Sequence, residues 1–152
     1  MRALSERNLT LAVAESSTGG LLGHLLTDIA GSSAVFVRGV TAYDDRLKER
    51  MGVPTEVLRT DGAVSEAAAR LMAAGMRRWA DADIGLGVTG IAGPGGATGT
   101  KPAGLTFVAL ADAASTICQR YVWDGNRSEN KTASAEAALR LLVRRLESVE
   151  PA

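Results

Sequence analysis

The residues best placed to do chemistry lie together in Ala14-Glu15-Ser16-Ser17-Thr18-Gly19-Gly20. This stretch follows a short apolar run, Leu9 to Val13, and precedes an apolar segment of helical period, Leu21 to Ile29. Three hydroxyls and two glycines therefore sit where a strand gives way to a helix, the place where α/β proteins bind ligands. Free backbone N–H groups and the positive end of the helix dipole point at the same spot. A hydroxyl there can be a nucleophile, an anion ligand or a helix cap.

A serine nucleophile needs a base. The single histidine, His24, falls in the middle of the predicted helix, where a satisfied or solvent-facing role is expected, so a Ser-His-Asp triad has little support. Lysine is the documented alternative when its surroundings lower its proton affinity. Lys48 follows the second strand, just after Tyr43-Asp44-Asp45. Right-handed crossovers would bring the carboxyl ends of strands one and two to one sheet edge and Lys48 near Ser16. The competing reading of Lys48 is a solvated helix lysine among Arg46, Glu49 and Arg50. The tract Gly90 to Pro102 follows the third strand and meets the same edge. Its glycines let backbone N–H groups approach a ligand, and Lys101 adds charge. Its competing reading is a flexible surface loop. Arg127, in Gly125-Asn126-Arg127, either clamps a phosphate or carboxylate or is a surface residue on a turn.

Several familiar motifs fail. Gly85-Leu86-Gly87-Val88-Thr89-Gly90 fits G-x-G-x-x-G, but its glycines lie within a strand and no helix follows. Close packing against small helix residues accounts for them better. Lys101 stands between Thr100 and Pro102, which excludes an ordinary P-loop. There is no G-x-S-x-G elbow. One histidine, one cysteine and no ligand spacing argue against catalytic zinc.

The elements that must position these residues read as one domain of 152 residues. Helix is expected over Met1 to Arg7, Gly19 to Ile29, Asp44 to Met51, Glu66 to Ala80 (capped by Ser65) and about Ser128 to Ser148. A turn or short helix covers Pro54 to Arg59. Strands are expected at Leu9 to Ala14, Val35 to Tyr43, Ile84 to Thr89, Leu105 to Ala111 and Ile117 to Trp123, the last two as an antiparallel hairpin. Gly31 ends the second helix in the left-handed conformation. The order implies an α/β fold, a three-layer α/β/α sandwich with a mixed, mostly parallel sheet of about five strands. Lysine plus arginine and aspartate plus glutamate balance at 17 each, which argues against a nucleic-acid binder working by bulk electrostatics. The lone Cys118 excludes an intrachain disulfide and fits a reducing compartment. No apolar run spans a membrane and no signal peptide opens the chain, so a cytoplasmic protein is expected.

Taken together, the segments resemble the CinA C-terminal domain family. The resemblance is carried by Ala14 to Gly20, Gly31-Ser32-Ser33-Ala34 with Phe36, Arg38-Gly39 and Tyr43, then Lys48, Gly52-Val53-Pro54 and Gly62-Ala63-Val64-Ser65. Thr89-Gly90-Ile91-Ala92-Gly93-Pro94, Lys101-Pro102-Ala103-Gly104 and Gly125-Asn126-Arg127 continue it. The match runs in order over nearly the whole chain, as a single stand-alone domain over residues 1–152. The family's larger N-terminal domain has no counterpart here, so activities of that domain are not expected. The resemblance implies an amidase that converts nicotinamide mononucleotide to nicotinate mononucleotide and ammonia in pyridine nucleotide salvage. Ser16 then matches the nucleophile, Lys48 its base and Tyr43 a tyrosine beside the dyad. Thr18, with backbone groups of Gly19 and Gly20, would polarise the amide or hold the oxyanion. Glu15, Gly19, Gly20, Thr89, Gly90, Ile91, Ala92, Gly93, Lys101, Arg127 and Lys131 would contribute to the substrate site. The phosphate of a mononucleotide suits Arg127, Lys131 and helix N-termini.

No metal or redox cofactor is required by that chemistry. The expected partner is the small-molecule mononucleotide, with no nucleic acid and no membrane, and a homo-oligomer is left open. Four positions depart from the family pattern. Ser17 replaces a common cysteine, Asn126 an aspartate, and Lys131 an arginine, which keeps charge but loses the bidentate fork. Asp44-Asp45 replaces Ser-Asn and puts negative charge beside the proposed base, which favours the ammonium form. That departure keeps a second reading in view, a catalytically silent nucleotide-binding or regulatory module linked to competence or DNA damage. A third is a structural oligomerisation module.

Overall fold

The computed structural model describes residues 1–148. Its elements are α1 (Arg2–Ser5), β1 (Leu11–Glu15), α2 (Leu21–Thr27), β2 (Phe36–Thr41), α3 (Asp45–Arg50), α4 (Thr55–Thr60), α5 (Glu66–Ala80), β3 (Ile84–Gly90), β4 (Leu105–Ala111), β5 (Thr116–Val122) and α6 (Arg127–Ser148). The five strands form one sheet in the order β2-β1-β3-β4-β5. β1 runs parallel to β2 and β3, while β3–β4 and β4–β5 are antiparallel. This is the mixed α/β sandwich expected from the sequence.

The two faces of the sheet carry different side chains, and strand alternation sorts them. Leu11 and Val13 of β1, Ile84, Leu86 and Val88 of β3, and Val108 and Leu110 of β4 join one buried cluster with α2 and α6. The opposite face is built from small residues. Ala12 and Ala14 pack with Met72 and Met76 of α5, and Ala109 and Ala111 with its Ala69 and Ala73. Between them lie Gly85 and Gly87. A Cβ on Gly85 would stand 2.1 Å from the Ala73 carbonyl oxygen, and one on Gly87 2.5 Å from that of Ala69. These glycines therefore serve the close approach of α5, as their place within a strand implied.

Helix ends follow local chemistry. Ser65 caps α5 by accepting a hydrogen bond from the Ala68 N–H at 3.1 Å. α2 is shorter than its apolar period predicts, because Gly19 (φ 63°) and Gly20 (φ 97°) hold the left-handed conformation and delay its start to Leu21. Gly31 is left-handed as expected, but it leads into a 3-10 turn, Ser32–Ala34, that periodicity does not reveal. The segment Pro54 to Arg59 resolves into a helix, α4, from Thr55 to Thr60. Among the described residues no helix is long and apolar enough to cross a membrane.

Candidate active site

Parallel β1, β2 and β3 end at one edge of the sheet. Register fixes this, since Glu15 pairs with Thr41 on one side and Val88 on the other. Ser16, Tyr43 and Gly90 thus emerge together. The antiparallel turn-back through β4 and β5 returns the chain to the same edge, where α6 begins at Arg127. A cavity of about 300 Å³ opens there, lined by Ser16, Ser17, Tyr43, Gly90, Ile91, Ala92 and Arg127 among others. Arg127 locks its rim, donating to the Gly93 carbonyl at 2.8 Å and to the Tyr43 hydroxyl at 3.3 Å.

Lys48 is not a solvated helix lysine. It is 1% exposed, one of the largest fully buried side chains. Burying an ammonium demands partners. Its Nζ donates to the Asp45 carboxylate at 3.1 Å and to the Tyr43 carbonyl at 3.3 Å. No hydrogen bond joins it to Ser16 among the described residues. The two aspartates that precede it divide their work. Asp44 caps α3 by accepting from the Arg46 N–H at 2.8 Å and pairs with the Arg46 guanidinium at 2.9 Å. Those bonds hold its carboxyl down at about 2. Asp45 is the one that engages Lys48.

Four groups expected at the site already have partners within the chain. First, the N-terminal end of α2 is not free for a ligand. Glu15, 2% exposed, points its carboxylate there and accepts from Gly20 at 3.2 Å and from Leu22 and Gly23 at 2.8 Å. Its carboxylate is thus taken up by the start of the helix. Likewise the N-terminal end of α6 is closed by a capping box. Asn126 accepts from Ser128 and Glu129, and Glu129 accepts from the Asn126 N–H at 2.7 Å.

Second, the Gly19 N–H is bonded to the Ser16 carbonyl at 3.1 Å and that of Gly20 to Glu15, so neither is available to an oxyanion. The neighbouring N–H groups of Ser17 and Thr18 make no hydrogen bond among the described residues. Third, Thr89 turns its hydroxyl to the Ala63 carbonyl at 2.7 Å and braces the end of β3 instead of lining the cavity. Fourth, Lys101 lies elsewhere. Its ammonium is bonded to the Asp61 carbonyl, and it lines a separate cavity of about 440 Å³ at the start of α5.

A third cavity, of about 640 Å³, lies between the N-terminal ends of α2 and α6. Thr18, Gly19, Gly20, Arg127 and Lys131 line it, and so does His24. Thr18 therefore faces this space and not the Ser16 cavity. Arg127 belongs to both. Sequence reasoning places His24 on a helix and gives it no role. The signal that points to it is spacing, since His24 stands one helical turn from Gly20 and so projects on the same side as the loop.

A family model described as the CinA C-terminal domain matches residues 1–146. A CinA-like protein of Syntrophus aciditrophicus is 52% identical over 145 residues, covering 94% of this chain and 34% of that protein. One of Geobacter sulfurreducens is 49% identical over 146 residues, covering 95% and 35%. The chain thus spans about a third of the length of these relatives. Among solved structures, the competence/damage inducible protein CihA from Agrobacterium tumefaciens superposes with a TM-score of 0.92 at 39% identity, covering 97% of this chain and 90% of the other. The competence damage-inducible protein A from Klebsiella pneumoniae gives 0.94 at 33% identity, covering 98% and 93%.

Proposed function

The chain belongs to the CinA C-terminal domain family, and from that premise we propose that it is an amidase acting on nicotinamide mononucleotide. The observation that carries this reading is the pairing of a cavity lined by Ser16 with a wholly buried lysine one strand away, Lys48, hydrogen-bonded to the Tyr43 backbone. In this reading Ser16 Oγ attacks the carboxamide carbon while Lys48, as the free amine, takes the hydroxyl proton. The tetrahedral oxyanion is held by the unpartnered N–H group of Ser17, which lines the same cavity as Ser16. Collapse expels ammonia with the proton returned by Lys48. Water, deprotonated by the same amine, then opens the acyl-serine and releases nicotinate mononucleotide. Arg127 spans the two cavities, so the ring can sit by Ser16 while the ribose phosphate extends toward Lys131.

Ammonia release from nicotinamide mononucleotide by the purified protein tests this, alongside Ser16→Ala and Lys48→Ala. Both variants are expected to fall by at least about a hundredfold. Full activity in either removes that residue from the mechanism.

A second reading is favoured by one observation, the Asp45 carboxylate bonded to the Lys48 ammonium. A lysine held in its charged form is no base, and the chain would then be a silent nucleotide-binding module. Calorimetric binding of the mononucleotide with no ammonia released at any pH up to about 9 would decide for it.

A further inference from the structure

Asn130 stands near the start of α6 and is 3% exposed. Its Nδ2 donates to the Ala92 carbonyl at 3.0 Å. A carbonyl only accepts, so the amide must turn its NH2 group that way. Its Oδ1 is then buried with no partner among the described residues. For stability this is a poor arrangement. A half-satisfied buried amide loses at its oxygen much of what its donor gains. Leucine, with the same branched shape, would fill the place at little net change. The amide at Asn130 therefore calls for a reason other than stability.

The second observation lies at the other end of that bond. Ala92 lines the Ser16 cavity, with Ile91 beside it. The backbone groups of Ile91 to Gly93 can be accounted for one by one. The Ile91 N–H donates to the Leu105 carbonyl at 2.8 Å, and the Ile91 carbonyl accepts from the Gly104 N–H at 2.7 Å. Asn130 takes the Ala92 carbonyl, and Arg127 takes that of Gly93 at 2.8 Å. The N–H groups of Ala92 and Gly93 make no hydrogen bond among the described residues, although both residues are buried. What this tract has left to offer is donors alone. In a trans peptide the N–H lies opposite the C=O, so the grip on the Ala92 carbonyl also fixes the direction of the Gly93 N–H.

We infer that Asn130 is a positioning residue for the Ser16 cavity: by holding the Ala92 carbonyl it keeps the Ile91–Gly93 wall a donor surface, which favours an oxygen of the pyridine substituent over an amide NH2. Asn130 touches no substrate and acts through Ala92 and Gly93. The inference rests on the amidase reading for the identity of that ligand. A carboxamide answers such a wall with one oxygen, a carboxylate with two, and the charge strengthens each bond. The acid product is therefore held more tightly than the amide substrate.

Calorimetric titration of the Ser16→Ala protein, which keeps the amide intact, tests this. Nicotinate mononucleotide is expected to bind about tenfold more tightly than nicotinamide mononucleotide. Adding Asn130→Leu or Asn130→Ala should cut that preference below about twofold, and Asn130→Leu should melt within about 3 °C of the parent. Ser134→Ala is the control. Its hydroxyl lies one turn along α6, accepts from the Trp123 indole at 3.0 Å and donates to the Asn130 carbonyl at 2.7 Å. Losing it should lower melting by about 5 °C and keep the preference. A preference unmoved in both Asn130 variants overturns the inference, as does its loss in Ser134→Ala. A parent that favours the amide or binds neither mononucleotide overturns it too. So does melting more than about 10 °C lower in both Asn130 variants, which would make the residue a structural anchor. Ammonia release by the wild type is measured separately. None released, with the preference lost in the Asn130 variants, sinks the amidase reading alone; ammonia released, with the preference unmoved, sinks the inference alone.

Discussion

Replacing Glu15 probes the largest electrostatic commitment near the site. Its buried carboxylate gathers three backbone N–H groups of the first turn of α2, two at 2.8 Å and one at 3.2 Å. A hydrogen bond to an ionised acceptor contributes about 1.5–3 kcal/mol, so three give an upper bound of about 5–9 kcal/mol. Glu15→Ala also relieves the cost of keeping a charge from water, and water can enter the vacated space, which leaves a net loss of about 3–5 kcal/mol. At roughly 2–4 °C per kcal/mol for a chain of this size, melting falls by roughly 10 °C. Glu15→Gln keeps one oxygen for Gly20 and Leu22 but sets its amide group against the Gly23 N–H, so about half the loss is expected. Thermal and urea unfolding by circular dichroism give the stabilities, and KM is measured where both variants are folded. Stability within about 1 kcal/mol of the parent, with KM raised more than about tenfold, would refute the reasoning and make Glu15 a ligand contact.

Three more outcomes follow from the structure. Asp45→Asn removes the charge paired with Lys48 and should raise ammonia release at pH 7 by about three- to tenfold; a fall would mean that Asp45 holds the lysine in its working position. Gly87→Ala drives a Cβ to 2.5 Å from the Ala69 carbonyl and should cost about 2–3 kcal/mol in urea unfolding, whereas a change below about 0.5 kcal/mol would show that α5 yields freely. Cys118 is half-buried on β5 against α5 and β4, and burial, with Glu66 nearby, pushes its thiol up to about 11. Since the thiolate is the reactive form, iodoacetamide labelling of the folded protein should be slow at pH 8 and climb with each pH step toward 11; a plateau below pH 9 would contradict it.

The sheet and its helices are legible in the sequence because their signals are local and repeated. The apolar period of Glu66 to Ala80 and the run Leu105 to Ala111 give their element bounds to the residue. The strand setting of Gly85 and Gly87 already excludes a dinucleotide loop, and the α5 contact supplies the reason. The site is legible in part. The sheet topology that brings Ser16, Tyr43 and Gly90 to one edge follows from right-handed crossovers. What a side chain does once there is decided by competition for partners that sequence does not display. Glu15, Thr89 and Lys101 carry suitable groups, yet each is claimed by a backbone group elsewhere in the fold. Lys48 shows the reverse, since its polar neighbours Arg46, Glu49 and Arg50 suggest solvent, but the chain turns it inward. His24 stays silent in the sequence because a histidine inside a short helix has no local mark of the cavity it faces.

The Arg127 latch has a consequence for when this protein becomes competent during its own synthesis. The residue bridges Gly93 and Tyr43, partners 34 and 84 positions earlier in the chain. Every lining residue of the Ser16 cavity except Arg127 has been made before the fifth strand is finished. The cavity nevertheless stays without its rim until the last helix has left the ribosome and docked. Contacts of such sequence separation form late, after the loop-closure entropy they span has been overcome. A chain stalled or cut before α6 can hold much of its sheet and still lack the rim of the Ser16 cavity, so that cavity is complete only once translation has run to the final helix.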